Sequence, residues 1–403
     1  MHPLKLITAI FAVIFSSPFL NNCLAQSEAV FFISSEEILK EKQVKLNTSW
    51  LETNEKKGTS TMVSIPYVWP SDEAIGMRTY YLSVKTDYAK PLGIELPDMY
   101  TSFKLYANNQ LIAQSGRVSK IETNAVPAWQ PQTVALPQTK EYHFKLEISN
   151  FHHAKGGIKN PIIVGDWEFL KNKQSKASLA TWLLIGLLIL LGIGINIYFW
   201  WNDMPSSALY FSFLCIVWAF RVGFSELYFV PNYFQDIPWS WVVHIEYLSL
   251  FISILLGLKF VQSLYPLDTT PQVIWVFVGI VSLFILSVIL LRPIIFTSYL
   301  NIYLTVIGIS LLYMVYIVAR AVAFARYGAT FSVFAVIAGL AAFAYNFLAY
   351  QGLFEFNPFM YNINYLIIFS LLVIAMFYQQ SARAEFRNSK DVLTFDEYYK
   401  NSK

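Results

Sequence analysis

Four ionisable residues of this 403-residue sequence, Arg221, Glu226, His244 and Glu246, lie within otherwise apolar stretches. A charge near mid-membrane costs about 2.5–3.5 kcal/mol on insertion scales, so such groups face protein or water and have partners. At 1.5 Å per helical residue, Arg221 lies about 22 Å from Ser206 and Glu246 about 10 Å from Trp239. With about 30 Å of hydrocarbon to cross, antiparallel neighbours would bring both to one level. The expectation is an Arg221–Glu246 ion pair that couples two helices or only holds them together, since a paired buried charge is weak evidence for more. His244, about 200° around the helix from Glu246, should face elsewhere, and Glu226 should be interfacial.

A second group, Trp129, Asn150, His152 and His153, lies in a polar segment and could bind a ligand. Adjacent residues of an extended chain point to opposite faces, so the two histidines cannot share one ion without distortion. No third ligand stands at useful spacing, and neither a metal nor a cofactor is expected. The plainer reading is a turn whose imidazoles bond to backbone while Gly156-Gly157 bends the chain. Trp129, between Pro127 and Pro131, is either a platform for a sugar ring or a plug closing one end of a domain.

The elements that must position these residues are of two kinds. Hydrophobic residues make up 56% of the chain and aromatics 17%, too apolar for an ordinary soluble protein. Seven runs are long enough, or nearly so, to cross a bilayer: 178–200, 206–228, 239–264, 272–291, 294–319, 327–350 and 361–378. Residues 1–26 read as a secretory signal, with Lys5 near the start, an apolar core and a plausible cleavage site at Cys23-Leu24-Ala25. Asn22 argues against lipidation of Cys23, because a small residue would be expected there. Four regions follow: signal 1–26, an extracytoplasmic domain 27–176, a seven-helix membrane domain 177–380 and a short cytoplasmic tail 381–403.

An outside N-terminus and seven spans put the tail in the cytoplasm. Lys259, Arg320, Arg326, Arg383, Arg387, Lys390, Lys400 and Lys403 then fall inside, and only Arg292 in the outer loops, in keeping with the positive-inside rule. Trp200, Trp201, Trp239 and Trp241 stand where interfacial aromatics belong. Between residues 26 and 176 there are 18 Lys+Arg against 16 Asp+Glu with no basic block, so no nucleic-acid partner is expected. The mature outer domain has no cysteine and must rely on its own core.

That domain alternates with period two. Tyr80, Leu82 and Val84 alternate with Thr79, Tyr81, Ser83 and Lys85, and Phe144, Leu146 and Ile148 with His143, Lys145 and Glu147. Residues 103–113 read as a hairpin around Asn108-Asn109. About eight short strands with prolines between them favour a jelly-roll-like β-sandwich, followed by an all-α seven-helix bundle.

The string Leu105-Tyr106-Ala107-Asn108-Asn109-Gln110-Leu111 resembles the hairpin of galactose-binding-like jelly rolls, with Asn109 where glycine is usual. Ile148-Ser149-Asn150-Phe151-His152-His153-Ala154-Lys155-Gly156-Gly157, running on to Pro161-Ile162-Ile163-Val164-Gly165, resembles the signature before the membrane part of bacterial seven-transmembrane receptors with diverse intracellular signalling modules. Glu246-Tyr247-Leu248-Ser249-Leu250 is similar to that family too. The resemblance implies reception of a small-molecule or carbohydrate ligand by a multi-pass protein of the bacterial inner membrane. In that family the seventh helix usually leads into a kinase, cyclase or phosphatase module. Here only some two dozen residues follow, so a separate cytoplasmic signalling protein is the expected partner, beside the lipid bilayer.

No Gly-x-Ser-x-Gly, His-Glu-x-x-His, phosphate loop or paired-carboxylate motif stands out, so an enzyme is not expected. A transporter or channel with an accessory outer domain is the alternative, but neither repeated halves nor a polar line across the bilayer is visible. Span seven has no lysine for a retinal Schiff base. Asn301, Tyr345, Asn346, Asn362 and Asn364 fall near the outer span ends, as a polar vestibule would require.

Overall fold

The computed structural model describes residues 30–54, 57–201, 205–225, 227–351, 353 and 356–388, the last six without their side chains. The export signal, Glu226 and the tail beyond 388 lie outside the described residues.

The described strands, in chain order, are β1 (Val30–Ile33), β2 (Gln43–Lys45), β3 (Ser49–Asn54), β4 (Thr59–Ser64), β5 (Tyr67–Val68), β6 (Gly76–Thr86) and β7 (Leu92–Leu96). They continue with β8 (Ser102–Ala107), β9 (Gln110–Ser115), β10 (Gln132–Ala135), β11 (Glu141–Asn150), β12 (Gly157–Ile158) and β13 (Ile163–Asp166). One sheet runs β4-β3-β6-β11-β8-β9, with β1 parallel to β6; a second runs β10-β7-β13-β2. Tyr80, Leu82, Val84, Phe144, Leu146 and Ile148 of the first meet Val44, Leu92, Ile94 and Val164 of the second in one core. The chain therefore begins with a β-sandwich, in which the period-two pattern faces inward. Thr79 and Ser83 of β6 are buried as well, while Tyr81 and Lys85 between and beyond them stay exposed, so the outer face of that strand is wet only in part.

The β8–β9 hairpin turns on Asn108 (φ 50°) and Asn109 (φ 66°). Both are left-handed, as a two-residue hairpin turn with the sheet's twist requires. The Asn108 side chain reaches across to β11, donating to the Glu141 carbonyl (3.0 Å) and accepting from the His143 amide (2.8 Å).

Among the described residues, seven long apolar helices follow: α1 (Trp167–Trp201), α2 (Ser206–Phe224), α3 (Trp239–Leu264), α4 (Pro271–Leu290), α5 (Leu300–Ala323), α6 (Ala329–Tyr350) and α7 (Pro358–Asn388). All seven are long and apolar enough to cross a membrane. The chain is thus a multi-pass membrane protein with a sandwich at one end of its bundle.

Several helix boundaries depart from the apolar runs, among them the start of α1, the end of α2 and the end of α7 at Asn388 rather than 378. Helix α1 starts directly from β13, with Asp166 Oδ1 accepting from the Phe169 amide at 3.0 Å. Its polar first turns lie on the sandwich: a Cβ on Gly93 would stand 2.8 Å from Trp167, and Lys173 reaches Glu95 at 2.8 Å. No linker separates sheet from helix there. Helix α2 stops at Phe224 rather than 228. The Ser225 amide and hydroxyl both bond the Arg221 carbonyl (2.9 and 2.6 Å), and Tyr228 turns left-handed at φ 45°.

Candidate functional site

Strand β11 ends at Asn150, and the bend after it is tied from within. Asn150 Nδ2 donates to the carbonyls of Ala74 (2.7 Å), His153 (2.8 Å) and Lys155 (3.0 Å), while its Oδ1 accepts from the His153 amide (3.1 Å). The two glycines that follow are required by space. A Cβ on Gly156 would stand 2.5 Å from the Trp69 ring, and Gly157 (φ 100°) would meet the Tyr67 carbonyl at 2.4 Å.

The bend is pressed onto the helical bundle. The Ala154 amide donates to Thr297 Oγ1 at 3.2 Å. Lys155 Nζ lies 4.1 Å from the Tyr350 ring centre, and His152 meets Trp239 edge-on at 6.3 Å. His153 is buried, stacked on Tyr100 at 5.1 Å, with Nδ1 3.0 Å from both the amide and the carbonyl of Lys155. Burial lowers its pKa to about 4, helped by the nearby Lys159 and Lys155 charges, so the ring is neutral at pH 7. The two histidines point to different partners, and among the described residues no three His, Cys, Asp or Glu side chains gather as a metal site would need.

Trp129 is not presented on an open face of the sandwich. It is buried within the core of the helical bundle, packs at a tilt on Tyr228 at 4.6 Å and meets Trp239 edge-on at 5.4 Å. Its indole N–H donates to the Tyr100 carbonyl at 2.6 Å. Tyr100 has φ 63° and Tyr228 φ 45°, so both tyrosines that hold this indole occupy a conformation costing a bulky residue about 1–3 kcal/mol. Trp239, expected at the membrane interface, is buried in this contact, whereas Trp200, Trp201 and Trp241 are exposed.

Beneath the plug lies a cavity of about 240 Å³ walled by both parts of the molecule. Asp98, Tyr100, Trp129, His153 and Lys159 roof it, and Trp218, Arg221, Glu246, Asn346 and Tyr350 form its upper walls. Arg221 and Glu246 are brought together, but in a different form from the expected side-chain ion pair. Arg221 Nη1 donates to the Glu246 main-chain carbonyl at 3.0 Å. Arg221 stands three residues before the end of α2, and the Glu246 carbonyl it meets also accepts from Ser249 Oγ at 2.9 Å. His244 faces away, with Nδ1 on the Ser240 carbonyl at 2.5 Å and its ring against Phe296.

Several polar atoms in this space are buried without a hydrogen-bond partner among the described residues: the Tyr100 and Tyr350 hydroxyls, Trp218 Nε1 and Asn346 Oδ1. Burial pushes the Tyr100 hydroxyl up to about 12. Asp98 is matched by Lys159 at 3.1 Å. Of the residues expected to form a polar vestibule, Asn346 lines the cavity and donates to Tyr365 at 3.1 Å. Asn362 instead joins α7 to α1 through Thr181 at 3.2 Å, and Asn301 and Tyr345 bond Gln351 and Asn357. The sequence reading passed over Tyr100, Lys159, Trp218 and Tyr350. Trp218 carried a signal, standing one helical turn from Arg221 on the same face.

A family model described as 7TM diverse intracellular signalling matches residues 177–380, just over half of the chain. No curated protein matches it. Among solved structures, the chain is similar to a GH2 β-galacturonidase from Eisenbergiella tayi bound to galacturonate, at 11% identity over 31% of this chain and 24% of that one, TM-score 0.25. A GH2 member from Bacteroides cellulosilyticus DSM 14838 (12% identity, 31% and 20% covered, TM-score 0.25) and a Bacteroides uniformis β-glucuronidase (13%, 30% and 17%, TM-score 0.23) are similar to the same extent. The chain spans a quarter or less of those enzymes' length, and likenesses this partial carry neither their activity nor their substrates here.

Proposed function

Since the chain belongs to the 7TM diverse intracellular signalling family, we propose that it is a membrane receptor whose ligand is read at the junction between sandwich and bundle. The observation that carries this reading is the shared cavity. Its roof comes from sandwich residues such as Tyr100 and Trp129, and its lower wall includes Ile368, Phe369 and Leu372 of α7. Anything that fills it touches the receiving domain and the last helix at once. That helix runs on to Asn388, so its far end is where a change would reach a cytoplasmic signalling partner.

The sandwich faces away from the cytoplasm in this proposal, in a bacterial inner membrane. Lys259, Arg320 and Arg326 stand at the bundle end remote from the sandwich and Arg292 at the near end, the sense favoured by the positive-inside rule. A small molecule, including a carbohydrate, would have to enter the junction, because Trp129 and His153 are enclosed there. Transport of polar solutes is disfavoured by the cavity's floor of Ile254, Met314, Val336 and Leu372.

The test fills the cavity without a ligand. Gly339 lines it, and an added Cβ there meets nothing within 4 Å, so Gly339→Phe would act as an internal occupant. Spin labels at Phe324 and Phe377, both exposed near the far end, would report a changed distance distribution in nanodiscs. An unchanged distribution in the folded variant would overturn the reading.

A further inference from the structure

The cavity has two chemically distinct ends. At the sandwich end, Tyr100, Tyr350, Trp218 and Asn346 each present a buried polar atom with no hydrogen-bond partner among the described residues. Groups left in this way are rare in folded proteins, and these four border one space. Arg221 uses one N–H on the Glu246 carbonyl, and a guanidinium has five. With Asp98 and Lys159 matched to each other at 3.1 Å, the two hydroxyls, an indole N–H and a guanidinium against one amide oxygen make a donor excess, which suits an oxygen-rich anion. Glu246 on the same wall opposes an anion and therefore provides a discriminating test.

The other end is apolar. From Glu246 to Val261 the lining follows α3 for fifteen residues, about 22 Å. Ile307 and Met314 of α5, Val336 of α6 and Leu372 of α7 form the remaining walls. Gly257 and Gly339 keep the passage open, since an added Cβ would meet only Met314 at the first and nothing within 4 Å at the second. The hydroxyl of Ser253 is satisfied by the Ser249 carbonyl at 2.6 Å, and beyond Glu246 this stretch has no charged lining residue.

A space with one donor-rich end and a long apolar remainder fits neither a free sugar nor a small inorganic anion. We infer that the junction cavity binds an anionic amphiphile, its carboxylate or phosphate head among Arg221, Tyr100, Tyr350 and Trp218 and its single apolar chain between α3, α5, α6 and α7. The inference rests on the reading of the junction as the receptor's site and specifies its ligand class. A fatty acid arriving from water and a lysophospholipid drawn from the bilayer share this chemistry.

The test is titration of the full-length protein, in phosphatidylcholine nanodiscs, with dodecanoate, read by tryptophan fluorescence. Trp129 and Trp218 line the site and report directly. Saturable binding is expected, at least tenfold tighter than that of butyrate, dodecanol or dodecylammonium. Arg221→Gln should weaken dodecanoate at least tenfold and Arg221→Lys less, Glu246→Gln should tighten it, and Gly339→Phe should block it. Equal affinities for dodecanol and dodecanoate, or for butyrate and dodecanoate, would overturn the inference using the unaltered protein alone.

Saturation by galacturonate or inorganic phosphate, without dodecanoate binding, would sink the amphiphile and leave the junction site standing. No binding of any probe, together with unmoved spin labels in Gly339→Phe, would sink both. Native mass spectrometry from nanodiscs containing lysophosphatidate separates the sources. A retained lysophosphatidate that dodecanoate does not displace supports the bilayer source, and full displacement supports the aqueous one.

Discussion

The rings of Trp129 and Tyr228 pack across the boundary between sandwich and bundle, 4.6 Å apart and tilted by 35°. Each comes from a different part of the molecule, and the same indole is fixed from the sandwich side by the Tyr100 carbonyl at 2.6 Å. Removing it deletes a buried aromatic and leaves that carbonyl without its donor. Trp129→Ala should therefore cost about 3–5 kcal/mol, and Trp129→Phe less. Calorimetry in nanodiscs should show the single transition splitting as the sandwich melts ahead of the bundle. An unchanged single transition would show that the contact does not couple them.

Asn150 is the keystone of the bend that meets the bundle. One amide serves three main-chain carbonyls, and its oxygen serves the His153 amide. Each buried carbonyl left unpaired costs about 1–3 kcal/mol, so Asn150→Leu should lose several kcal/mol. Asn150→Asp removes the donors while preserving shape, and should be nearly as damaging. Hydrogen exchange would localise the effect: protection lost at residues 151–157 is the expected result, and protection unchanged there would refute it.

The neutral, buried His153 gives the sandwich a pH dependence of definite sign. Its pKa falls from 6.5 to about 4 on folding, so between those values the unfolded chain binds a proton that the folded chain refuses. Stability is complete above about pH 6.5 and declines as pH falls toward 4, by about 3 kcal/mol in all. Burial also lowers His152, which acts in the same direction. Melting temperatures recorded from pH 7.5 to 4.5 should drop steeply in the parent protein and less in His153→Gln. Parallel curves would mean that His153 does not titrate in this range.

The parts legible in the sequence were those governed by local period. Spans were readable because apolar runs of this length have one economical use, and the Asn108-Asn109 turn because few residue pairs tolerate two positive φ values. Boundaries set by tertiary contact were not. The early start of α1 depends on Trp167 closing over Gly93, some 70 residues earlier. The estimate from helical depth put Arg221 and Glu246 at one level but could not show that the guanidinium would bond the Glu246 main-chain carbonyl. The cavity was the least legible, since Tyr100, Arg221 and Tyr350 become neighbours only when sandwich, α2 and α6 are assembled.

At the end of the bundle remote from the sandwich, Asp268 between α3 and α4 accepts from Arg326 Nε, between α5 and α6, at 3.1 Å. The Asp268 side chain is 2% exposed and that of Arg326 13%, so neither charge can recover full hydration if the other is lost. Breaking such a pair from one side typically costs about 3–5 kcal/mol, whereas replacing both partners with apolar residues is often neutral or stabilising. Asp268→Leu and Arg326→Met should each lower the melting temperature markedly, and the double variant should recover most of the loss. The pair joins the two loops flanking the far end of α5, so spin labels at Phe324 and Phe377 should also broaden in either single variant and sharpen again in the double. Additive losses in the cycle would mean that the two charges are stabilised independently, and that this end of the bundle is held by helix packing alone.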